Sequence, residues 1–207
     1  MTRPRIAILI SGRGSNMEVL LRATQSGVLE DRCTVCGVLS NRADAIGIQR
    51  ARALGFSTRI VSSKGHDSVS YGKKLLDALG VWSPDYLVLA GFMRILSADV
   101  IAAYRGRIVN IHPADTSAYQ GPDGYGWAAR EKLTKTTITV HLVDEGVDTG
   151  PVLHQEPVSL RGAPSTDEIV QRGLEVEHAL YGACLARLFT GQYDNVIKTI
   201  QSQEERP

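Results

Sequence analysis

The chain has 207 residues, of which 43% are hydrophobic and 22% charged, and its formal net charge is +1. This composition is typical of one globular domain, two at most, and excludes a disordered chain, which would need lower hydrophobicity or a larger net charge. With 23 basic residues against 22 acidic ones, we expect no broad nucleic-acid-binding surface. The apolar runs are much shorter than the ~20 residues that span a bilayer, and the N-terminus lacks a signal-peptide pattern. We therefore expect a cytoplasmic protein without a membrane partner.

The three cysteines do not form a disulfide framework. Cys33 and Cys36 have the spacing of a redox or zinc pair, but they lie in a strand-like run, where positions three apart point to opposite faces. Cys184 lies in a helix-like stretch. We predict that all three are buried packing residues.

Short apolar runs alternate with helix-like stretches through the first half of the chain. The predicted strands are 5–10, 34–39, 58–61, 86–90 and 107–111, and the predicted helices are 15–26, 43–54, 68–79 and 97–104. Strands joined by crossover helices are typical of a parallel sheet covered on both faces. Since such crossovers are right-handed, the order favours an α/β fold with a doubly wound, mostly parallel sheet.

The pattern becomes mixed after residue 113. Residues 114–127 are rich in Gly, Asp, Ser and Tyr and predict a loop, and 136–143 alternates as a half-buried strand. A further strand is predicted at 152–158, followed by a long helix at 166–188 with Ser165 or Thr166 as its cap. The charged tail after residue 201 is predicted to fray. We predict one domain over 1–207, with an α/β half (1–111), a mixed half (112–190) and a tail (191–207).

A glycine-rich segment follows the first predicted strand. It contains Gly14, Ser15 and Asn16 at the start of the first helix, where unpaired N–H groups and a partial positive charge favour a phosphate. It is neither a P-loop nor the dinucleotide fingerprint, since Met17 replaces the third glycine. Phosphate binding is favoured; the alternative is a tight turn with Ser15 as the helix cap.

Asn110 and His112 lie at the end of a predicted buried strand. They are two positions apart, so their side chains point the same way, and ligand sites in such sheets lie beyond the carboxyl ends of the strands. An amide and an imidazole on one face can polarise a carbonyl and transfer a proton. The alternative is a structural histidine before a turn.

Residues 143–151 combine glycines with three acids between two predicted strands. Turn chemistry explains this composition, and the spacing is not that of an EF-hand. The segment could also supply a carboxylate that orients His112.

The remaining histidines are weaker candidates. We expect a packed or hydrogen-bonded role for His141, a strand surface for His154 and a loop for His66. Glu177 and His178, taken alone, are typical of the solvated face of a helix.

Together, these motifs resemble those of the folate-dependent glycinamide ribonucleotide formyltransferases. The resemblance runs from Ile6 to about Leu188, and the matching pieces are residues 8–16, 39–45, 89–97, 109–113, 139–151 and 177–181. It implies a Rossmann-like formyltransferase fold. It also implies transfer of the formyl group of 10-formyltetrahydrofolate, the co-substrate, to the amino group of glycinamide ribonucleotide in de novo purine biosynthesis, without a metal.

The resemblance also implies roles for individual residues. Asn110 and His112 would hydrogen-bond the developing oxyanion, and Asp148 would favour the charged imidazole and help to move a proton. Gly14, Ser15 and Asn16 would hold the substrate phosphate, and Glu177 the rest of that substrate. The folate would contact Met93, Arg94, Ile95, Leu96, Asn110, Asp144, Glu145, Gly146, Val147 and Asp148.

The sequence departs from the family pattern mainly at residues 114–126. The usual Ser-Leu-Leu-Pro is replaced at 114–117, and the usual Gly-Leu-His segment becomes 121–126, without its histidines. Because this segment lies near the expected substrate site, an enzyme acting on another amine, such as an amino sugar nucleotide, and a non-catalytic nucleotide- or folate-binding relative both remain alternatives. The partners expected are small molecules, and the protein would be a monomer or a homodimer.

Overall fold

In the computed structural model, which describes residues 3–163 and 165–202, the strands form one seven-stranded sheet. The strands are β1 (Arg5–Ile10), β2 (Thr34–Ser40), β3 (Thr58–Ile60), β4 (Tyr86–Leu89), β5 (Ile108–His112), β6 (Lys135–Leu142) and β7 (Val152–Ser159). The helices are α1 (Ser15–Ser26), α2 (Ile46–Ala53), α3 (Ser68–Gly80), α4 (Ala98–Ala103), α5 (Gly124–Arg130), α6 (Thr166–Phe189) and α7 (Asp194–Ser202).

The strand order is β3-β2-β1-β4-β5-β6-β7. The first five strands along the chain pair in parallel, whereas β6 and β7 pair antiparallel. This confirms the predicted doubly wound, mostly parallel sheet with a mixed second half and a long C-terminal helix. The direction of winding reverses between β1 and β4, which opens a crevice at the carboxyl ends of these strands.

Both faces of the sheet are buried, which explains why the first strands show little alternation. Ile8 of β1 packs in one core with Leu20 of α1 and Leu185 of α6. Leu9, the next residue of β1, packs in a second core with Leu75 of α3. Successive side chains of one strand thus enter two different cores, and both must be apolar.

Two helices lie where the sequence predicted none. Helix α5 begins inside the segment assigned to a loop, so that prediction was correct for 114–123 and wrong for 124–127. The sequence signal for α5 is its N-cap residue, Asp123, whose side chain accepts a hydrogen bond from the Gly126 N–H at 3.1 Å. Helix α7 occupies much of the predicted tail and buries Ile197; residues 203–207 lie outside the described part.

The prediction of a half-buried β6 was also wrong. Its residues from Ile138 to Leu142 are all buried. Ile138, Val140 and Leu142 pack in the same core as residues of α6. The polar positions are covered by the segment after β5: the Thr139 hydroxyl donates to the Ala114 carbonyl at 2.7 Å. Thr139 and His141 of this strand therefore belong to a buried hydrogen-bonded layer, and not to a solvated face.

The predictions for the cap of α6 and for the three cysteines are confirmed in part. Ser165 is the cap of α6, accepting from the Glu168 N–H at 3.3 Å, as predicted. All three cysteines are free, and Cys33 and Cys184 are buried. Cys36 is only half-buried, so the prediction of burial does not hold for it.

Candidate active site

The loops after β1, β2 and β4 meet at one hydroxyl. Ser11 Oγ donates to Asn41 Oδ1 at 2.6 Å and accepts from the Met93 N–H at 2.7 Å. Ser11 is itself 5% exposed. This shared contact holds three loops together at the carboxyl end of the sheet.

A cleft of about 370 Å³ opens beside these loops. It is lined by every residue that the family resemblance assigned to the folate: Met93, Arg94, Ile95, Leu96, Asn110, Asp144, Glu145, Gly146, Val147 and Asp148. Met93 and Ile95 are 73% and 66% exposed, although both are large and apolar. Exposed apolar side chains at the mouth of a cleft are typical of a ligand-binding surface.

The amide, imidazole and carboxylate predicted as catalytic groups meet at the base of this cleft. Asn110 and His112 project from the end of β5, and Asp148 comes from the loop between β6 and β7. Asp148 Oδ2 lies 3.3 Å from His112 Nδ1, and Asp148 Oδ1 accepts from Asn110 Nδ2 at 3.3 Å. Asp148 adopts a left-handed backbone conformation (φ 53°), which is rare for a residue with a side chain and is often found at functional sites.

A further histidine belongs to this cluster. His141 pairs with Asn110 across β5 and β6, and its Nε2 lies 3.2 Å from Asn110 Nδ2 and 3.4 Å from Asp148 Oδ1. The expected hydrogen-bonded role is confirmed, but its contact with the Asp148 carboxylate was missed. No local signal reveals this contact, because it depends on the register of an antiparallel strand pair.

Burial and hydrogen bonding act against each other on the pKa values of the cluster. Burial raises the pKa of Asp148, but hydrogen bonds from His141 and Gly121 and the nearby His112 outweigh it, so the net pKa is lower than usual. Burial lowers the pKa of His112, and Asp148 and the Tyr119 carbonyl only partly offset this. A neutral imidazole beside an ionised carboxylate is therefore favoured near neutral pH.

The segment between β5 and α5 lies against the cluster of Asn110, His112 and Asp148. The Tyr119 carbonyl is 3.1 Å from His112 Nε2, and the Gly121 N–H donates to Asp148 Oδ2 at 2.9 Å. The Tyr119 ring stacks on Trp127 with centroids 4.8 Å apart. This part of the sequence, which departs from the family pattern, thus borders the site directly.

A second polar cluster surrounds Glu177, which is 5% exposed. Its two carboxylate oxygens accept from Asn16 of α1 and from the Tyr125 hydroxyl of α5. Glu177 therefore does not lie on a solvated face, and Tyr125 is a member of this cluster that the sequence did not indicate. Burial raises the pKa of Glu177, and the hydrogen bonds from Tyr125 and Asn16 oppose this shift.

The glycine-rich segment forms the start of α1 without a side-chain cap. Gly14 is the N-cap, with φ 71°, and Ser15 is the first residue of the helix, so the alternative in which Ser15 is the cap is wrong. A Cβ on Gly14 would lie 3.1 Å from the Gly47 Cα, so the turn requires glycine for close packing as well. The first N–H groups of the twelve-residue α1 remain available to an anion.

Neither a metal site nor a membrane span is found in the part of the chain that the structure describes. No group of three or more His, Cys, Asp or Glu side chains is arranged to hold a metal ion there. Within residues 3–163 and 165–202, no helix is both long and apolar enough to cross a membrane.

Comparison with known proteins points to one family. A family profile described as "Formyl transferase" matches residues 4–185. The chain is 37% identical over 177 residues to phosphoribosylglycinamide formyltransferase of Escherichia coli (strain K12), which covers 85% of this chain and 82% of that protein. It is also 37% identical to the trifunctional purine biosynthetic protein adenosine-3 of Drosophila melanogaster, over 91% of this chain but only 14% of that protein.

Solved structures show the same relationship. Glycinamide ribonucleotide transformylase 1 from Symbiobacterium toebii superposes with a TM-score of 0.87 at 30% identity, covering 91% of this chain and 89% of that one. Phosphoribosylglycinamide formyltransferase from Brucella melitensis superposes with a TM-score of 0.84 at 37% identity, covering 92% and 97%.

Proposed function

Because the chain belongs to the formyl transferase family, we propose that it transfers the formyl group of 10-formyltetrahydrofolate to the amino group of glycinamide ribonucleotide, a reaction of purine biosynthesis. The observation that carries this proposal is the cluster of Asn110, His112 and Asp148, with 3.3 Å contacts at the base of an apolar cleft. Those groups are the ones that formyl transfer between two bound substrates requires.

The cleft has the character that a folate requires. Its apolar walls include Met93, Ile95 and Val147, whose side chains are exposed, and the 144–148 backbone offers N–H and C=O groups to a pterin. Arg94 also lines the cleft and carries a positive charge suited to a folate carboxylate. Folate binding there would place the formyl group beside Asn110 and His112.

The acceptor would bind on the other side of the catalytic groups. Its phosphate would meet the α1 N-terminus at Gly14, Ser15 and Asn16, and its sugar or amide donors would meet Glu177. Asn16 contacts Glu177 directly, so the two expected parts of this subsite are adjacent.

The reaction would proceed by direct attack of the amine on the formyl carbon. A C–N bond forms, and the carbonyl oxygen becomes an oxyanion that accepts hydrogen bonds from Asn110 Nδ2 and the His112 ring. The amine proton passes to Asp148, directly or through water, and is delivered to N10 of the folate as the C–N10 bond breaks. The products are the formylated amine and tetrahydrofolate.

The rate acceleration that we expect from each of these groups is typical of enzymes. One well-placed oxyanion donor contributes about 3–4 kcal/mol of transition-state stabilisation, and acid–base assistance roughly 10²–10⁴-fold in rate. Holding both substrates in reactive geometry contributes as much or more. The chemistry at these residues requires no covalent enzyme intermediate.

A second candidate is the same transfer to a different amine. It is supported by the altered segment 114–126, which places Tyr125 on Glu177 and Gly121 on Asp148. A non-catalytic role is disfavoured because the three catalytic groups are present and in contact.

An acceptor screen with 10-formyltetrahydrofolate as the fixed donor tests the proposal. We expect turnover with glycinamide ribonucleotide and little or none with amino sugar nucleotides, and a His112→Ala variant serves as the negative control. Activity confined to another amine would replace the proposed acceptor while keeping the chemistry. Inactivity with every amine, together with retained folate binding, would reject catalysis.

A further inference from the structure

Tyr125 occupies a slot that exists because residue 173 is a glycine. A Cβ built on Gly173 of α6 would overlap the Tyr125 ring, with Cε1, Cζ and the hydroxyl oxygen as its nearest atoms. The Tyr125 ring of α5 can therefore pack against the α6 backbone only because residue 173 has no side chain. This close approach ties the start of α5 to the middle of α6.

The slot aims the Tyr125 hydroxyl at Glu177, one helical turn further along α6. Tyr125 donates to Oε1 and Asn16 donates to Oε2, so each carboxylate oxygen has one protein donor. A carboxylate has about four acceptor positions, so one on each oxygen remains for another donor. The two protein donors fix the plane of the carboxylate and thereby the direction of the two remaining positions.

The neighbouring polar atoms indicate that this cluster is incomplete without a ligand. Asn16 Oδ1 is buried and has no hydrogen-bond partner among the described residues, although Asn16 lies next to the Gly14–Ser15 turn that offers N–H groups to a phosphate. Buried polar groups are normally paired, and an unpaired one in a native fold calls for an explanation, of which a bound ligand is one. The cluster offers acceptors for a molecule that carries hydroxyl or amide donors near a phosphate.

We propose that Tyr125, seated against Gly173, is a positioning residue of the acceptor subsite that orients Glu177 toward the hydroxyl or amide donors of the phosphorylated amine. The inference rests on the proposed function and extends it to a residue in the segment that departs from the family pattern. Tyr125 acts through Glu177 and does not take part in the chemical step.

The ionisable groups around Glu177 are few. Tyr125 faces it from α5, Asn16 faces it from α1 without a charge, and Tyr181 lies one turn away on α6 and is buried. His178 is adjacent in sequence and half-buried. Burial raises the pKa of Glu177, while the bond from Tyr125 lowers it, so removal of that hydroxyl should raise it further.

Tyr125→Phe is the direct test, because it removes the hydroxyl and keeps the ring in its slot. We expect the KM for glycinamide ribonucleotide to rise about 10- to 100-fold, because a carboxylate that is no longer oriented loses the hydrogen bond that it makes to the substrate, and one hydrogen bond to a charged group has that effect. The KM for the folate and kcat should change less than about threefold. Tyr86→Phe, in a half-buried ring at the amino end of β4, is the matched control and should leave all three unchanged.

Gly173→Ala tests the slot independently, since the added methyl group displaces the ring. It should raise the same KM, and Tyr125→Phe should add little in the Gly173→Ala background, because the hydrogen bond is already lost. Thermal unfolding shows whether each variant folds. Additive effects of the two substitutions would contradict the proposed coupling.

A measurement without turnover separates this inference from the proposed function. With ¹³C-carboxyl-labelled glutamate and Glu177→Gln for assignment, the Glu177 resonance should titrate at higher pH in Tyr125→Phe than in the wild type. An unchanged titration together with an unchanged acceptor KM would overturn the inference. If the wild type does not use glycinamide ribonucleotide, the proposed acceptor is wrong, and the titration still decides whether Tyr125 controls Glu177.

Discussion

Asp148 Oδ2 lies 3.3 Å from Nδ1 of His112, although His112 ends β5 and Asp148 lies in the loop between β6 and β7. The other oxygen of this carboxylate contacts Asn110 and His141. One carboxylate therefore positions an amide and two imidazoles at the base of the cleft. This shared contact makes the four side chains a unit, and we expect their substitutions to have non-additive effects on turnover.

Loss of either member of the central pair should abolish most activity. His112→Ala and Asp148→Ala are each expected to lower kcat at least ~100-fold, because proton transfer and oxyanion stabilisation both depend on the pair. Steady-state kinetics with both substrates saturating gives kcat, and circular dichroism checks the fold. Rates close to those of the wild type in either variant would rule out the proposed mechanism.

Removal of the amide donor should affect the chemical step more than binding. Asn110→Ala is expected to lower kcat roughly 10²–10³-fold, the usual loss for one oxyanion donor. The measurement is kcat against each KM, with Asn195→Ala on the exposed face of α7 as the control. A change confined to KM would show that Asn110 binds substrate and does not stabilise the oxyanion.

His141 should control the ionisation of Asp148. Because the hydrogen bond from His141 lowers the pKa of Asp148, His141→Ala should raise that pKa and reduce kcat by less than His112→Ala does. Titration of the ¹³C-labelled Asp148 carboxylate measures the shift. His154→Ala, in β7 and paired with Glu156, should leave the titration unchanged; an equal shift in both variants would refute the assignment.

The burial of the Glu177 carboxylate should lower the free energy of unfolding of the protein at neutral pH. The pKa of Glu177 is raised in the folded protein. The contribution of Glu177 to the free energy of unfolding is therefore complete at low pH and is lost as the pH rises through the folded-state pKa. Glu177→Gln stays neutral, and its free energy of unfolding relative to the wild type should increase with pH.

Urea denaturation at pH 4.5 and 7.5 measures this difference. The same variant should raise the acceptor KM roughly 10- to 100-fold, because it loses the charge that receives substrate donors. A variant that is less stable at pH 7.5 than at pH 4.5, relative to the wild type, would contradict the direction of the shift.

Arg94 should contribute to folate binding through its charge. Its guanidinium lies 5.3 Å from the Tyr71 ring centroid and donates to the His66 carbonyl at 2.5 Å, which holds it at the wall of the cleft. Arg94→Ala should raise the KM for the folate about 5- to 10-fold, with a smaller effect at high salt. Arg52→Ala, on the exposed side of α2, is the control, and a salt-independent effect would indicate loss of packing instead.

The sequence by itself determined the parallel half of the fold and the identity of the main candidate residues. Alternating apolar runs and helices predict β1 to β5, and the close spacing of Asn110 and His112 on one strand indicates a shared face. These inferences succeed because strand and helix periodicity, glycine turns and strand-end motifs depend on residues near one another in the chain.

Only the tertiary structure decided which distant groups touch. Contacts of His141 with Asp148 require the register of β5 against β6, and the contact of Tyr125 with Glu177 requires the packing of α5 into the slot at Gly173. The burial of Glu177 and of the polar side of β6 likewise depends on segments that are remote in sequence. Local patterns carry no information about such pairings, because their energy comes from contacts that exist only once the chain has folded.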